Sequence, residues 1–189
     1  MEYLLSFIHP DVSLFLNVAL VHAMQFEKII PKKKEFRSSA AKQMFLKKAI
    51  AQEKGKIITT LSKDKIAIVN IDDPLILAQA KKSSAKIYFF GKKGDMKILA
   101  YKISSRGTSF IYQYDGKRVE LKLPYLLPEY YGYTFSGALL TGVILGLSFS
   151  EVINSLKKNF ILPSGRSKYS KNFGVNLISL VLPYFCLVI

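Results

Sequence analysis

The sequence predicts an α/β chain: a partial doubly wound, mostly parallel sheet, an added antiparallel meander, and helices toward the C-terminus. Three observations carry this reading. Short apolar runs alternate with helical patterns from Val12 to Gly91, in the order strand, helix, strand, helix, strand, which is the order of parallel crossover units. The texture then shifts, from Met96 on, to alternating residues broken by "SSRG" and "YDGK", the signature of hairpins. Two helical patterns follow the meander.

Each element has its own signal. "DVSLFLNV" is apolar at nearly every position, as expected of a strand covered on both faces. "KKKEFRSSAAKQMFLKKAIAQEKGKII" reads as a long basic helix, with Ser38 or Ser39 as its cap and Phe45, Leu46, Ala49 and Ile50 on one face. "KIAIVNI" is a second buried strand. "DPLILAQAKKS" is a helix with Pro74 in its first turn, where the missing amide hydrogen costs nothing. "AKIYFFG" is a third strand. Asp115-Gly116 marks a tight hairpin turn inside "IYQYDGKRVELKL". "YTFSGALLTGVILGLSF" is an apolar helix too short to span a bilayer. "SFSEVINSLKKNF" is amphipathic, opened by Ser148 or Ser150, with Val152, Ile153 and Leu156 on one side. Pro163, Ser164 and Gly165 mark a linker.

Composition narrows the function classes. The chain has 189 residues, half of them hydrophobic, which excludes disorder as its main state. A single cysteine, Cys186, rules out an internal disulfide framework and points to a reducing, cytoplasmic compartment. The formal charge is +15, carried mostly by lysines spread along the chain. That suits a polyanionic partner, and equally a solvated basic surface. The first residues lack the basic start and unbroken apolar core of a signal peptide. The last stretch, "FGVNLISLVLPYFCLVI", is apolar but short for a span and interrupted by Asn176 and Pro183.

Three constellations carry chemistry. In "LNVALVHAM", Asn17 closes a strand and His22 follows in the loop; ligands of open α/β sheets gather at such carboxyl ends. An imidazole there can ligate a metal, and an amide can hold phosphate or a metal-bound water. The plain alternative is a loop histidine. In "IAQEKGKI", Lys54 precedes Gly55 near a helix end, where a lysine complements the helix dipole without further function. In "NIDDP", Asp72 or Asp73 can cap the helix that starts at Pro74; a cap accounts for one aspartate but not for Asn70 and both aspartates together. No G-x-x-x-x-G-K-[ST], G-x-S-x-G, H-E-x-x-H or C-x-x-C occurs. His9 and His22 are the only histidines.

Taken in order, these pieces resemble the Mur ligase family, ATP-dependent enzymes that add amino acids or dipeptides to UDP-N-acetylmuramoyl precursors of peptidoglycan. "NVALVH" resembles the family's N-V-x-x-x-H. The run "IAQEKGKIITTLSKDKIAIVNIDDPLILAQAKKSSAKIYFFG" resembles its I-A-x-x-K-G-x-I, N-x-D-D-P and A-K-x-x-A-K-V-x-T-F-G. "SGALLTGVILGLSFSEVINSL" resembles its A-L-G-I-x-x-E-x-I-x-x-L, and "LPSGR" its P-P-G-R linker. The type most resembled is the D-alanyl-D-alanine-adding one.

The resemblance implies a mechanism. A substrate carboxylate takes the γ-phosphoryl group of ATP, the incoming amine attacks the acyl phosphate, and phosphate leaves. It implies ATP and Mg2+, with His22 as a magnesium ligand and Lys54 as a carbamylated lysine. Asn17, Asn70, Asp72 and Asp73 would lie at the nucleotide and Arg166 would contact ATP. The chain departs from the pattern in four places. Its 189 residues hold no phosphate loop. The interval from His22 to Lys54 is longer than the family's, so Lys42 in "SSAAKQ" rivals Lys54. Tyr130 or Tyr131 stands where the family has an adenine-facing asparagine. After "GVNLI" the sequence leaves the family's pattern. The expected organisation is therefore a partial central domain over residues 1–162 and a linker with the start of a third domain over 163–189, in a fragment inactive by itself. Expected partners are a UDP-N-acetylmuramoyl-peptide and an amino acid or dipeptide, bound by a monomer, with neither nucleic acid nor membrane favoured. The alternatives are a basic nucleic-acid-binding module or a protein held at a membrane by its apolar C-terminus.

Overall fold

The computed structural model describes residues 1–20, 26–31 and 34–162, and the backbone of 169–170, 177–178 and 187–188. The chain forms two compact units, one of Met1–Tyr88 with Tyr184–Ile189, the other of Phe89–Pro183.

The first unit holds α1 (Glu2–Leu5), β1 (Val12–Phe15), α2 (Ser39–Thr59), β2 (Ile66–Asn70) and α3 (Pro74–Ala80), and β3 (Lys86–Gly91) begins in it. β1 and β2 pair in parallel, Val12 opposite Ile66 through Phe15 opposite Val69. All four residues of β1 and four of the five in β2 are buried, as the continuous apolar runs require. The strand, helix, strand, helix, strand order read from the sequence is present.

Two boundaries differ from the sequence reading. β1 stops at Phe15, so Asn17 lies in the loop beyond the strand. α2 starts at Ser39, with the Ser38 hydroxyl accepting from the Ala41 amide at 3.1 Å, so the basic residues 34–37 precede the helix. At its other end α2 runs through Gly55 to Thr59, one residue past the run read as a helix. Gly55 is not a terminator. A Cβ added there would stand 2.6 Å from Gln79 Cγ, so the missing side chain lets α2 close on α3.

The second unit holds β4 (Met96–Ser104), β5 (Gly107–Tyr114), β6 (Lys117–Leu123), α4 (Tyr131–Ile144) and α5 (Phe149–Asn159). β4, β5 and β6 form the antiparallel meander predicted, and the end of β3 pairs in parallel with the start of β4. At the β5–β6 turn Asp115 and Gly116 both have positive φ, 46° and 74°, as a two-residue turn of type I′ needs. Phe110, Tyr112 and Leu121 point inward and are fully buried. Phe135 of α4 meets Phe110 edge-on at 5.7 Å, the geometry aromatic quadrupoles favour. Ser148 and Glu151 close a capping box on α5. The short strands β7 (Tyr169–Ser170) and β8 (Leu177–Ile178) pair antiparallel, and β9 (Leu187–Val188), in the first unit, pairs antiparallel with β1. Among the described residues no helix is long and apolar enough to cross a membrane.

Candidate functional site

The carboxyl ends of β1 and β2 meet at a small polar edge in the first unit. Asn70, the last residue of β2, is nearly fully buried, with 6% of its surface exposed. Its side chain is used at both ends: Nδ2 donates to the Leu16 carbonyl at 3.0 Å, and Oδ1 accepts from the Asp72 amide at 2.9 Å. A buried amide must be satisfied in this way.

Asp73 follows with an extended backbone and caps α3. Its Oδ1 accepts from the amides of Leu75 at 2.9 Å and Ile76 at 3.3 Å. Its Oδ2 accepts from the Val18 amide at 3.0 Å. One carboxylate thus caps the helix and fastens the chain leaving β1. Asn70 holds the carbonyl of Leu16 and Asp73 the amide of Val18. Asn17, between these anchors, is exposed. Asp72 is exposed as well, and the cap belongs to Asp73.

The structure therefore brings Asn17, Asn70, Asp72 and Asp73 to one edge, with Asn17 and Asp72 facing solvent and Asn70 and Asp73 shaping the backbone beneath. Sequence reasoning put all four at the edge but missed this division, because nothing in "NIDDP" reveals which main-chain groups lie across from it. Lys54 is half-buried inside α2 and makes no hydrogen bond with the edge. Among the described residues it has no ion-pair partner, whereas its rival Lys42 is held by Glu27 at 2.8 Å. His22 and Arg166 lie outside the described residues.

The expected magnesium ligand, His22, lies outside the described residues. Magnesium takes oxygen donors in a near-octahedral shell. Both oxygens of Asp73 and the single oxygen of Asn70 already accept main-chain hydrogen bonds. No group of three or more His, Cys, Asp or Glu residues that could hold a metal occurs among the described residues. These residues alone do not fit a magnesium cage. The recess of about 410 Å3 in this unit lies elsewhere, lined by Ile8, His9, Pro10, Leu61 and Lys65 beside the amino ends of β1 and β2.

Residues 44–130 match the Mur ligase middle domain. Just under half of the chain thus resembles that domain. Its matched part includes Lys54, Asn70, Asp72 and Asp73, three of them at the edge just described. A curated relative, the UDP-N-acetylmuramoyl-L-alanyl-D-glutamate–2,6-diaminopimelate ligase of Aquifex aeolicus (strain VF5), is 29% identical over 104 residues, covering 55% of this chain and 21% of its own. Among solved structures, the MurF ligase of Thermotoga maritima in complex with ADP superposes with a TM-score of 0.70 at 22% identity, covering 94% of this chain and 36% of that one. The UDP-N-acetylmuramoylalanyl-D-glutamyl-2,6-diaminopimelate–D-alanyl-D-alanyl ligase of Acinetobacter baumannii superposes at 0.64 with 19% identity, covering 86% of this chain and 32% of that one. The Mur ligase segment thus spans about a fifth of its curated relative and about a third of these solved chains. The family and fold read from the order of motifs are correct.

Proposed function

We propose that this Mur ligase segment serves ATP-dependent amide-bond formation in peptidoglycan precursor synthesis, as a nucleotide-facing part of the ligase middle domain. The observation that carries the reading is the edge at Asn70 and Asp73, which fixes the loop after β1 on both sides of Asn17 within a chain that matches that domain. In the reaction a substrate carboxylate takes the γ-phosphoryl group of ATP. The amine of an amino acid or dipeptide attacks the acyl phosphate, forming the amide and releasing phosphate. The exposed Asn17 amide and Asp72 carboxylate are the groups turned toward a nucleoside, while Asn70 and Asp73 shape the backbone beneath them.

The choice of added group goes to D-alanyl-D-alanine, on the motif resemblance and on the solved neighbours named for that ligase; the diaminopimelate ligase among the relatives speaks for the other choice. Lys54, rather than Lys42, is the proposed carbamylated lysine, since a lysine already engaged by Glu27 is less available to carbon dioxide. The acceptor is a UDP-N-acetylmuramoyl-peptide, and the proposed setting is cytoplasmic.

The 189 residues contain no phosphate loop, so the expected affinity of this chain for ATP is weak, about millimolar, equivalent to ~4 kcal/mol. Titrating labelled chain with ATP and following amide resonances tests this. Shifts at Asn17, Val18 and Asp72 at millimolar ATP support the reading. No shift at this edge sinks it, and micromolar affinity overturns the claim that the phosphates go uncradled.

A further inference from the structure

We propose that the recess at the β4–β5 turn of the meander binds a pyrophosphate group. It lies in the second unit, and it does not depend on the reading above. The recess measures about 420 Å3 and is lined by Lys102, Ser104, Arg106, Ser109, Glu120 and Lys122 among others.

Strand register explains why these side chains share a face. Lys102 of β4 stands opposite Ser109 of β5, and Ser109 opposite Lys122 of β6. Side chains in one row across a sheet project to the same side. Thr108 and Phe110, on either side of Ser109 in β5, are buried, so the row containing Ser109 lies on the outer face. Arg106 joins it from the turn. That turn is tied down: the Ser104 hydroxyl accepts from the Arg106 amide at 3.3 Å and donates to the Gly107 carbonyl at 3.4 Å. Gly107 cannot be replaced easily, because its φ is +127° and a Cβ would lie 2.2 Å from the Leu123 carbonyl oxygen.

Charge decides what fits. Three cations face one carboxylate, and that carboxylate, Glu120, pairs with Lys122 at 3.1 Å. Lys102 and Arg106 have no ion-pair partner among the described residues. The other recess on the meander, of about 380 Å3, has Lys93 and Lys97 matched by Asp95 and Asp115 and offers no net charge. Neighbouring strands are about 4.8 Å apart, which puts the bases of Lys102 and Lys122 about 9.6 Å from each other. Lysine side chains rising from rows that far apart can reach an anion from opposite sides, with the Ser109 hydroxyl below, and a two-phosphate group offers each of them its own charged oxygens. Arginine supplies the planar fork for phosphate oxygens, and lysines supply point charges.

Calorimetric titration of the full chain with inorganic pyrophosphate at low ionic strength tests the site, with amide shifts to locate it. The expected result is saturable binding with shifts at Ser104–Ser109. Affinity should fall about tenfold or more in K102A/R106A, the loss expected for two charge-assisted contacts at ~1.4 kcal/mol per tenfold step. K157A/K158A, on α5 and outside the recess, should change it less than twofold. Circular dichroism confirms that both variants fold. Equal losses in the two variants, or no binding to wild type, would overturn the proposal in favour of a diffuse basic surface. Vesicles of phosphatidylcholine with and without a prenyl pyrophosphate form the second arm. Retention on the acidic vesicles that K102A/R106A abolishes assigns the group to a lipid headgroup; pyrophosphate binding without retention assigns it to a soluble ligand.

Discussion

Asp73 shows how much one side chain can carry. One oxygen caps α3 and the other holds the Val18 amide, so two kinds of substitution separate the roles. Replacing an N-cap aspartate with alanine costs about 0.5–2 kcal/mol, and in Asp73→Ala loss of the Val18 bond adds to it. Asp73→Ser keeps a capping oxygen but is too short to serve both partners. Chemical denaturation should therefore rank wild type above Asp73→Ser and Asp73→Ala lowest. If alanine and serine are equal, the cap is not what Asp73 contributes. Ser13 makes the opposite case. It is fully buried in β1, and among the described residues its hydroxyl has no hydrogen-bond partner. A buried unsatisfied hydroxyl costs about 1–3 kcal/mol, so Ser13→Ala should raise the denaturation midpoint. A lowered midpoint would mean the hydroxyl is satisfied in solution.

Among the elements, Gly55 is the most instructive. Glycine weakens a helix interior, yet α2 continues through Gly55 to Thr59, and the glycine faces Gln79 of α3. A glycine that ends a helix and a glycine that admits a neighbouring helix have the same local sequence; only the partner tells them apart, and the partner is 24 residues away. Alanine at an exposed helix site would gain about 1 kcal/mol over glycine. Here the Cβ would lie 2.6 Å from Gln79 Cγ, so Gly55→Ala alone should destabilise. Gly55→Ala with Gln79→Ala should recover part of that stability, since Gln79 Cγ and Cδ are gone and only its Cβ, 3.1 Å away, remains. A double-mutant cycle in denaturant measures the coupling; a coupling near zero would show that the two helices do not meet there. The same logic explains what else was legible. Strands β1 to β3 and the hairpin at Asp115-Gly116 could be read because their signals are local: continuous apolar runs, and two residues able to take positive φ. The division of labour at Asn70, Asp72 and Asp73 could not, because it depends on Leu16 and Val18, more than fifty residues earlier in the chain.

For the whole molecule, charge sets the response to pH. At +15 the chain repels itself, and acid adds to that by protonating carboxylates. Three carboxylates are held below their usual values: Glu53 by Lys56 and then the amino terminus, Asp64 by the Ser62 hydroxyl, and Glu151 by the Ser148 side chain and amide. A carboxyl group whose folded value is depressed stabilises the fold fully above its ordinary value, 4.5 for Glu and 3.8 for Asp. That contribution is lost as pH falls through the lower folded value. Two lysines are raised, Lys56 by Glu2 and then Glu53, and Lys65 by Asp11. Their contribution is complete below 10.5 and fades as pH rises through the folded value. Burial also raises the Tyr112 phenol well above 10.0, so its ionisation in the unfolded chain favours unfolding in strong alkali. The midpoint of thermal unfolding should be level between about pH 5 and 9, since no shifted group cited titrates there, and fall on both sides. Glu151→Gln should lower the plateau and flatten the acid limb, because the amide can still reach the Ser148 amide but no longer titrates. Added salt at pH 7 should raise the midpoint by screening the net charge. A midpoint that falls with salt would show that specific ion pairs outweigh self-repulsion. An acid limb unchanged in Glu151→Gln would show that the capping carboxylate contributes nothing to it.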